Sequence, residues 1–245
     1  MFKFALAKTI SSTQTELIAA IKKGFNENSF AIAALMQTNG IGSCNRVWNS
    51  EGSFVIPNSN SSVKNDDFSN VDFIFYDDYS KFNLDIHNNL YISFYSDNIP
   101  SDLPIQSASI YYSMIMKLVL QENNSKVFIK WPNDFYIANK KIGGLITSKI
   151  KDKLVCGLGL NITNAPNEAM VLDINISYSN LLKAFFDKIS YGYSWKEIFE
   201  YYKRDFELSR AFYFKSDEGV HSLEDAKLYE DGSILVDNKR IYSLR

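Results

Sequence analysis

The chain has 245 residues, 46% of them apolar and 22% charged, enough for one large core with a small appendage and too apolar for a disordered protein. Its net charge of −2 gives no basic face of the kind nucleic acid requires, so no nucleic-acid partner is expected. Two distant cysteines, Cys44 and Cys156, and two histidines offer no zinc-ligand spacing, and no apolar run reaches the length of a membrane span. A soluble, cytoplasmic protein with no membrane partner is expected.

The N-terminal stretch Met1-Phe2-Lys3-Phe4 is too short and too interrupted for a signal peptide. Thr13-Gln14-Thr15-Glu16 has the form of a capping box, with Leu17, Ile18, Ile21 and Phe25 at helical spacing behind it and Gly24 near the end. Residues 30–36 read as a buried strand running into a glycine-containing loop, 37–48, that ends on Trp48. Its Gly40-Ile41-Gly42 has Asn45 where a dinucleotide fingerprint needs a third glycine, and no Gly-Lys-Ser/Thr follows. Residues 57–72, rich in Asn, Ser and Asp, cannot bury enough surface to fold alone, and a mobile insertion is expected over 54–88.

Strands are expected over 71–76 and 90–95, and a helix over 105–120. Further strands are expected over 127–131, 135–138, 142–148 and 154–162, with Asn139-Lys140 as a hairpin turn. Helices should follow over 179–189 and 195–208. Beyond Arg210 come short strands and a Glu230-Asp231-Gly232 turn, a β module too small to stand alone. The fold class is α+β: a large domain over 1–208 and a small β module over 209–245.

Two clusters carry chemistry. Lys130-Trp131-Pro132-Asn133-Asp134 precedes Lys141-Ile142-Gly143-Gly144-Leu145. Pro132 fixes its own φ and biases Trp131 toward extended geometry, which puts the polar groups at a stiff strand end. The lysines suit phosphate or carboxylate oxygens, Asn133 can hydrogen-bond them, and Asp134 can hold Mg²⁺ directly or through water. The plainer reading of Asn-Asp is a solvated turn; the flanking Trp-Pro and the second lysine favour the ligand. In the strand over 154–162, Gly157 and Gly159 share one face with Asn161 and leave a bare stripe. Such a stripe serves a flat ligand or a close helix–sheet contact, and Gly143-Gly144 alongside tilts the reading toward the ligand.

Taken in order from residue 11 to 162, these stretches resemble the biotin-protein ligases. Ser12-Thr13-Gln14 is similar to that family's Ser-Thr-Asn, and Gln37 through Trp48 to its glycine- and arginine-rich loop. Asn89-Leu90-Tyr91-Ile92-Ser93 resembles its Asn-Leu-Tyr-x-Ser strand. Lys130 to Asp134 matches its Lys-Trp-Pro-Asn-Asp without change, and Gly157 to Asn161 resembles its Gly-x-Gly-x-Asn. The resemblance implies a mixed-sheet catalytic domain of the biotin/lipoate ligase type over 1–208, with a small barrel-like C-terminal β module, that joins biotin to ATP as biotinyl-5′-AMP. The biotin then passes to a lysine on the biotin carrier domain of acetyl-CoA carboxylase or another biotin-dependent carboxylase.

By the same resemblance, Lys141, Lys130 and Arg46 are catalytic. Ser12, Thr13, Gln14, Gln37, Gly40, Gly42, Lys141, Gly144, Gly157 and Gly159 bind biotin. Arg46, Trp48, Lys130, Asn133 and Asn161 bind ATP, and Asp134 meets Mg²⁺. The family's first two loop arginines are Ile41 and Ser43 here, and losing one charged hydrogen bond should weaken intermediate retention roughly ten- to hundredfold. The motifs begin close to Met1, so a form without the DNA-binding module of some relatives is expected. A lipoate or octanoate transferase and a biotin sensor without ligase activity are the competing readings. Monomer and homodimer both stay open.

Overall fold

A strand comes first, where none was expected. The computed structural model describes residues 2–42, 47–48, 62–63, 68, 71–82, 88–216 and 219–243. Its first element is β1, Lys3–Ile10, with Phe4 and Leu6 turned to one core and Ala5 and Ala7 to another. Burial on both faces suppresses the apolar–polar alternation that marks a half-exposed strand. Helix α1, Thr13–Lys23, carries the chain over to β2, Phe30–Gln37, which runs parallel to β1. The N-cap is Ser12, one residue before the expected box: its Oγ accepts from the Thr15 N–H at 3.4 Å. Gly24 closes the helix in the left-handed conformation, φ 119°.

Short strands β3 (Gly40–Ile41), β4 (Val47–Trp48) and β5 (Ser62–Val63) follow, then β6 (Phe73–Tyr76) and β7 (Leu90–Tyr95). Helix α2 spans Ala108–Glu122. Next come β8 (Phe128–Lys130), β9 (Asp134–Ile137), β10 (Lys140–Ile150) and β11 (Lys153–Leu160). Ile137 pairs with Lys140, so the hairpin turn is Ala138-Asn139, one residue earlier than expected, with Ala138 at φ 51°. Helices α3 (Tyr178–Tyr191) and α4 (Trp195–Ser209) complete the helical layer.

Nine strands form one sheet in the order β5-β6-β1-β2-β7-β11-β10-β9-β8, and only the β1–β2 pair is parallel. One face packs on α2, α3 and α4 through Leu154, Cys156, Leu158 and Leu160 of β11 and Phe94 of β7. The other packs on α1 through Leu17, Ala20 and Ile21. Within the expected insertion, β5 pairs with β6 at the sheet edge, and Phe68 is buried among Phe25, Phe30 and Phe73. The rest of that segment lies outside the described residues.

Beyond α4, strands β12 (Tyr213–Ser216) and β13 (Gly219–Ser222) form one small antiparallel sheet. A second holds β14 (Lys227–Leu228), β15 (Ile234–Val236) and β16 (Lys239–Ile241). Phe214, Leu223, Ala226 and Ile234 join the core of the helical layer, as a module too small to stand alone must. Among the described residues no helix is long and apolar enough to cross a membrane.

Candidate active site

Strands β8 and β9 make a tight hairpin in which Lys130 pairs with Asp134 around the turn Trp131-Pro132-Asn133. The Trp131-Pro132 bond is cis. Trp131 is fully buried: its backbone N–H donates to Ser209 Oγ at 3.0 Å and its indole N–H to the Gly232 carbonyl at 3.1 Å. Two residues earlier, the Ile129 N–H donates to Asp205 Oδ2 at 2.7 Å, while Lys117 holds Asp205 Oδ1 at 2.7 Å. Burial pushes the Asp205 carboxyl upward, and the Lys117 ammonium pulls the other way. Helix α4 thus holds the hairpin from behind and turns Trp131 inward, so the tryptophan anchors the motif structurally.

On the open side of the hairpin, Lys141 Nζ lies 2.5 Å from Asp134 Oδ1 and Lys130 Nζ 3.9 Å from Asp134 Oδ2. Two ammonium groups gather at one carboxylate, a cluster suited to an anionic ligand. Asn133 is tied to β10: its Nδ2 donates to the Leu145 carbonyl at 2.5 Å, and the Leu145 N–H returns to the Asn133 carbonyl at 3.2 Å.

The glycines divide by face. Gly144 pairs with Gly159, and Gly157 with Ile146, on the α1 side of the sheet. A Cβ on Gly144 would stand 3.2 Å from Asp134 Oδ1 and 3.5 Å from Lys141 Nζ, so the missing side chain is what lets that pair lie on the sheet. A Cβ on Gly157 would stand 2.7 Å from Gln14 Oε1. The space above Gly157 is therefore taken by a side chain of α1, and this glycine shapes the pocket by seating Gln14. Gly143 faces the opposite way, where a Cβ would meet the Gly159 carbonyl at 2.4 Å; its role is packing. Gly144, Gly157 and Gly159 stay half-exposed although their strands lie inside the sheet, which marks an open groove.

Polar residues line the α1 end of this groove. Gln37 Oε1 accepts from the Thr13 N–H at 2.7 Å and from Thr13 Oγ1 at 3.1 Å. With its proton on Gln37, Thr13 Oγ1 accepts from Ser93 Oγ at 2.9 Å. Ser12 is spent on its helix cap. Gly40 is buried and pairs with Trp48, Gly42 is half-buried beside it, and Ile41 between them is exposed. Arg46, Cys44 and the Trp48 side chain lie outside the described residues.

Asn161 is buried and closes the end of β11. Its N–H donates to the Ile142 carbonyl at 2.7 Å, its carbonyl accepts from Leu172, and its Nδ2 donates to the Met170 carbonyl at 3.4 Å. The Met170 N–H in turn reaches the Lys141 carbonyl at 3.0 Å, so Asn161 secures the chain behind the lysine. Cys156 points into the core, where burial pushes its thiol upward.

Several of these contacts escaped the sequence. Ser93 is signalled only by its place on the Asn-Leu-Tyr-x-Ser strand. Asn89 of the same motif fastens the loop after β11, accepting from the N–H groups of Ile162, Thr163 and Asn164. Asp205, Lys117 and Ser209 carry no local signal at all.

The profile of the Biotin/lipoate A/B protein ligase family matches residues 6–161, which hold the hairpin, both lysines and the glycine strands. The chain belongs to this family. A search of the curated proteins finds no match. Among solved structures, the biotin acetyl coenzyme A carboxylase synthetase from Helicobacter pylori with bound biotinylated ATP is similar over 98% of both chains. Its identity is 29% and its TM-score 0.78. The fold is shared with the biotin protein ligase from Aquifex aeolicus in complex with biotin and ATP. That structure is 19% identical at TM-score 0.60, over 99% of this chain and 95% of that one. The biotin protein ligase from Leishmania major in complex with biotinyl-5-AMP shares it too, 18% identical at TM-score 0.59, over 98% and 97%.

A divalent metal is one family-level expectation that the side chains can test. Among the described residues no three His, Cys, Asp or Glu side chains converge. Asp134 Oδ1 is held by Lys141, while Oδ2 lies 3.9 Å from Lys130 Nζ. Mg²⁺ carried on a nucleotide's phosphates needs only water between it and such a carboxylate.

Proposed function

We infer that this ligase-family chain is a biotin–protein ligase, which activates biotin with ATP and transfers it to a lysine of a carboxylase's biotin carrier domain. The observation that carries the reading is the paired ammonium groups of Lys130 and Lys141 at the end of the glycine groove. Activation brings a carboxylate and a triphosphate together, two anions that repel unless cations lie between them. A biotin carboxylate oxygen bonds to the α-phosphorus, the bond to the β-phosphate breaks, and pyrophosphate leaves. The acceptor amine then bonds to the acyl carbon, loses a proton and expels AMP.

Lys141, beside Gly144, meets the carboxylate and α-phosphate, and leaves Asp134 for them. Lys130, held by α4 through Ile129 and Trp131, stays fixed and balances charge as it develops. Mg²⁺ enters with ATP as part of that substrate and screens its phosphates, with Asp134 facing it through water. Thr13, Gln14, Gln37, Gly157 and Gly159 line the biotin end, with Ser12, Gly40 and Gly42 bordering it. Arg46, Trp48, Asn133 and Asn161 support the nucleotide side, Asn133 and Asn161 through the backbone they fix. This reading takes 1–208 as the catalytic domain and 209–245 as the accessory β module, in a cytoplasmic enzyme.

The test is transfer of labelled biotin to a purified biotin carrier domain, with and without ATP-Mg²⁺. ATP-dependent labelling should fall at least about hundredfold in Lys141→Ala, the scale for removing one group that stabilises transition-state charge. Biotin binding without labelling, on a carrier known to accept biotin, would replace the ligase with a sensor.

A further inference from the structure

Lys130 and Lys141 reach the same carboxylate and are held in different ways. Lys141 takes Asp134 Oδ1 at 2.5 Å, whereas Lys130 Nζ stands 3.9 Å from Oδ2, at the edge of ion-pair contact. The Lys130 side chain is nevertheless only 9% exposed, so its charge is largely out of water. An ammonium group in that position needs a further source of negative potential. The face of the Tyr136 ring supplies one: Lys130 Nζ lies over it, 5.5 Å from the centroid.

Strand register builds this contact. Lys130 pairs with Asp134 and Phe128 with Tyr136, so all four share the face of the hairpin opposite Ile129 and Phe135, which join the helical core. Phe128 packs on the Tyr136 ring with centroids 6.1 Å apart, and Phe212, just beyond α4, meets that ring edge-on at 5.1 Å. Phe128 and Phe212 also touch, at 5.8 Å. The tyrosine is thus braced by two rings while its π face meets the lysine.

A carboxylate and a ring hold an ammonium group differently. A carboxylate cancels the charge, and an incoming anion has to break the pair. A ring attracts through its quadrupole and carries no net charge, so the ammonium keeps its own for a phosphate. We propose that Tyr136 is a positioning residue that seats Lys130 on its π face, with the charge available to the nucleotide's phosphates. The inference rests on the ligase reading and separates the two lysines. Lys141 must leave Asp134 when substrate arrives, while Lys130 keeps its seat. Without the ring, Lys130 would close on Asp134 Oδ2, and the ligand would have to compete for it.

The experiment is ATP-dependent pyrophosphate release with biotin. It is run on the wild-type protein, on Tyr136→Phe, on the same variant carrying one, two or three ring fluorines, and on Tyr136→Leu, each with its melting midpoint. Fluorines drain the negative face of a ring and hardly alter its shape. Tyr136→Phe should keep kcat/KM for ATP within about twofold of wild type. The value should then fall step by step with fluorine number and end about five- to thirtyfold lower in Tyr136→Leu. KM for biotin should stay constant across the series. Packing alone would lower the melting midpoint of Tyr136→Leu and leave the fluorinated series level, so a level series would overturn the proposal. The same series decides the matter should Tyr136→Leu not fold. A loss in Tyr136→Phe as large as in Tyr136→Leu would assign the role to the hydroxyl and overturn it too. Wild-type protein that releases no pyrophosphate with biotin would overturn the ligase reading instead, an outcome visible without any variant.

Discussion

The two faces of the nine-stranded sheet are made by the same strands and differ in what covers them. Three helices close one face with a dry aromatic core in which Phe94 meets Tyr112, Phe185 and Phe186 edge-on. The other has α1, a chain of hydroxyls and amides, and a row of half-exposed glycines. In β11 the division changes at every residue: Leu154, Cys156, Leu158 and Leu160 face the helices, while Val155, Gly157 and Gly159 face the groove. The difference teaches that parity along a strand separates stability from chemistry in this molecule. Neighbouring positions should therefore respond to mutation in different currencies.

The largest expected effect lies on the closed face. Asp205→Ala leaves Lys117 as a buried unpaired charge and the Ile129 N–H without its acceptor, and should cost about 3–5 kcal/mol in urea denaturation. Next is the adjacent pair Leu158 and Gly159. Leu158→Ala should lose about 2–5 kcal/mol with KM for biotin unchanged. Gly159→Ala should raise that KM about tenfold with little change in melting, as one carbon intrudes on the ligand. Equal effects from the two substitutions on both readouts would break the comparison. The smallest is Ser93→Ala, which removes the last donor of the Thr13 chain and should cost about 1 kcal/mol.

Much of this was legible in the sequence because it is local. Most of the antiparallel strands, the helices and the lysine-glycine clusters rest on periodicity and on residues close together in the chain. Helix α1 was readable, but its cap was displaced: Ser12 and Thr13 are both good caps, and only the Thr13–Gln37 contact decides between them. Strand β1 was not readable, because a strand buried on both faces does not alternate. The expected bare stripe is partly filled, since no pattern within β11 tells that Gln14 lies over Gly157. Lys117 and Asp205 carry no local signal, and their pairing spans 88 residues. What the sequence hides is long-range, and here it is what holds the catalytic hairpin in place.

The turn at 230–232 is gripped by two indoles, Trp131 donating to the Gly232 carbonyl and Trp195 to that of Glu230 at 2.8 Å. On the ribosome, Gly232 is made 101 residues after Trp131. At about 5–20 residues per second, the hairpin carrying Lys130 waits about 5–20 s for the acceptor that completes its anchor. A nascent chain that stalls short of Gly232 has every charged group of the hairpin and lacks the hydrogen bond that seats it.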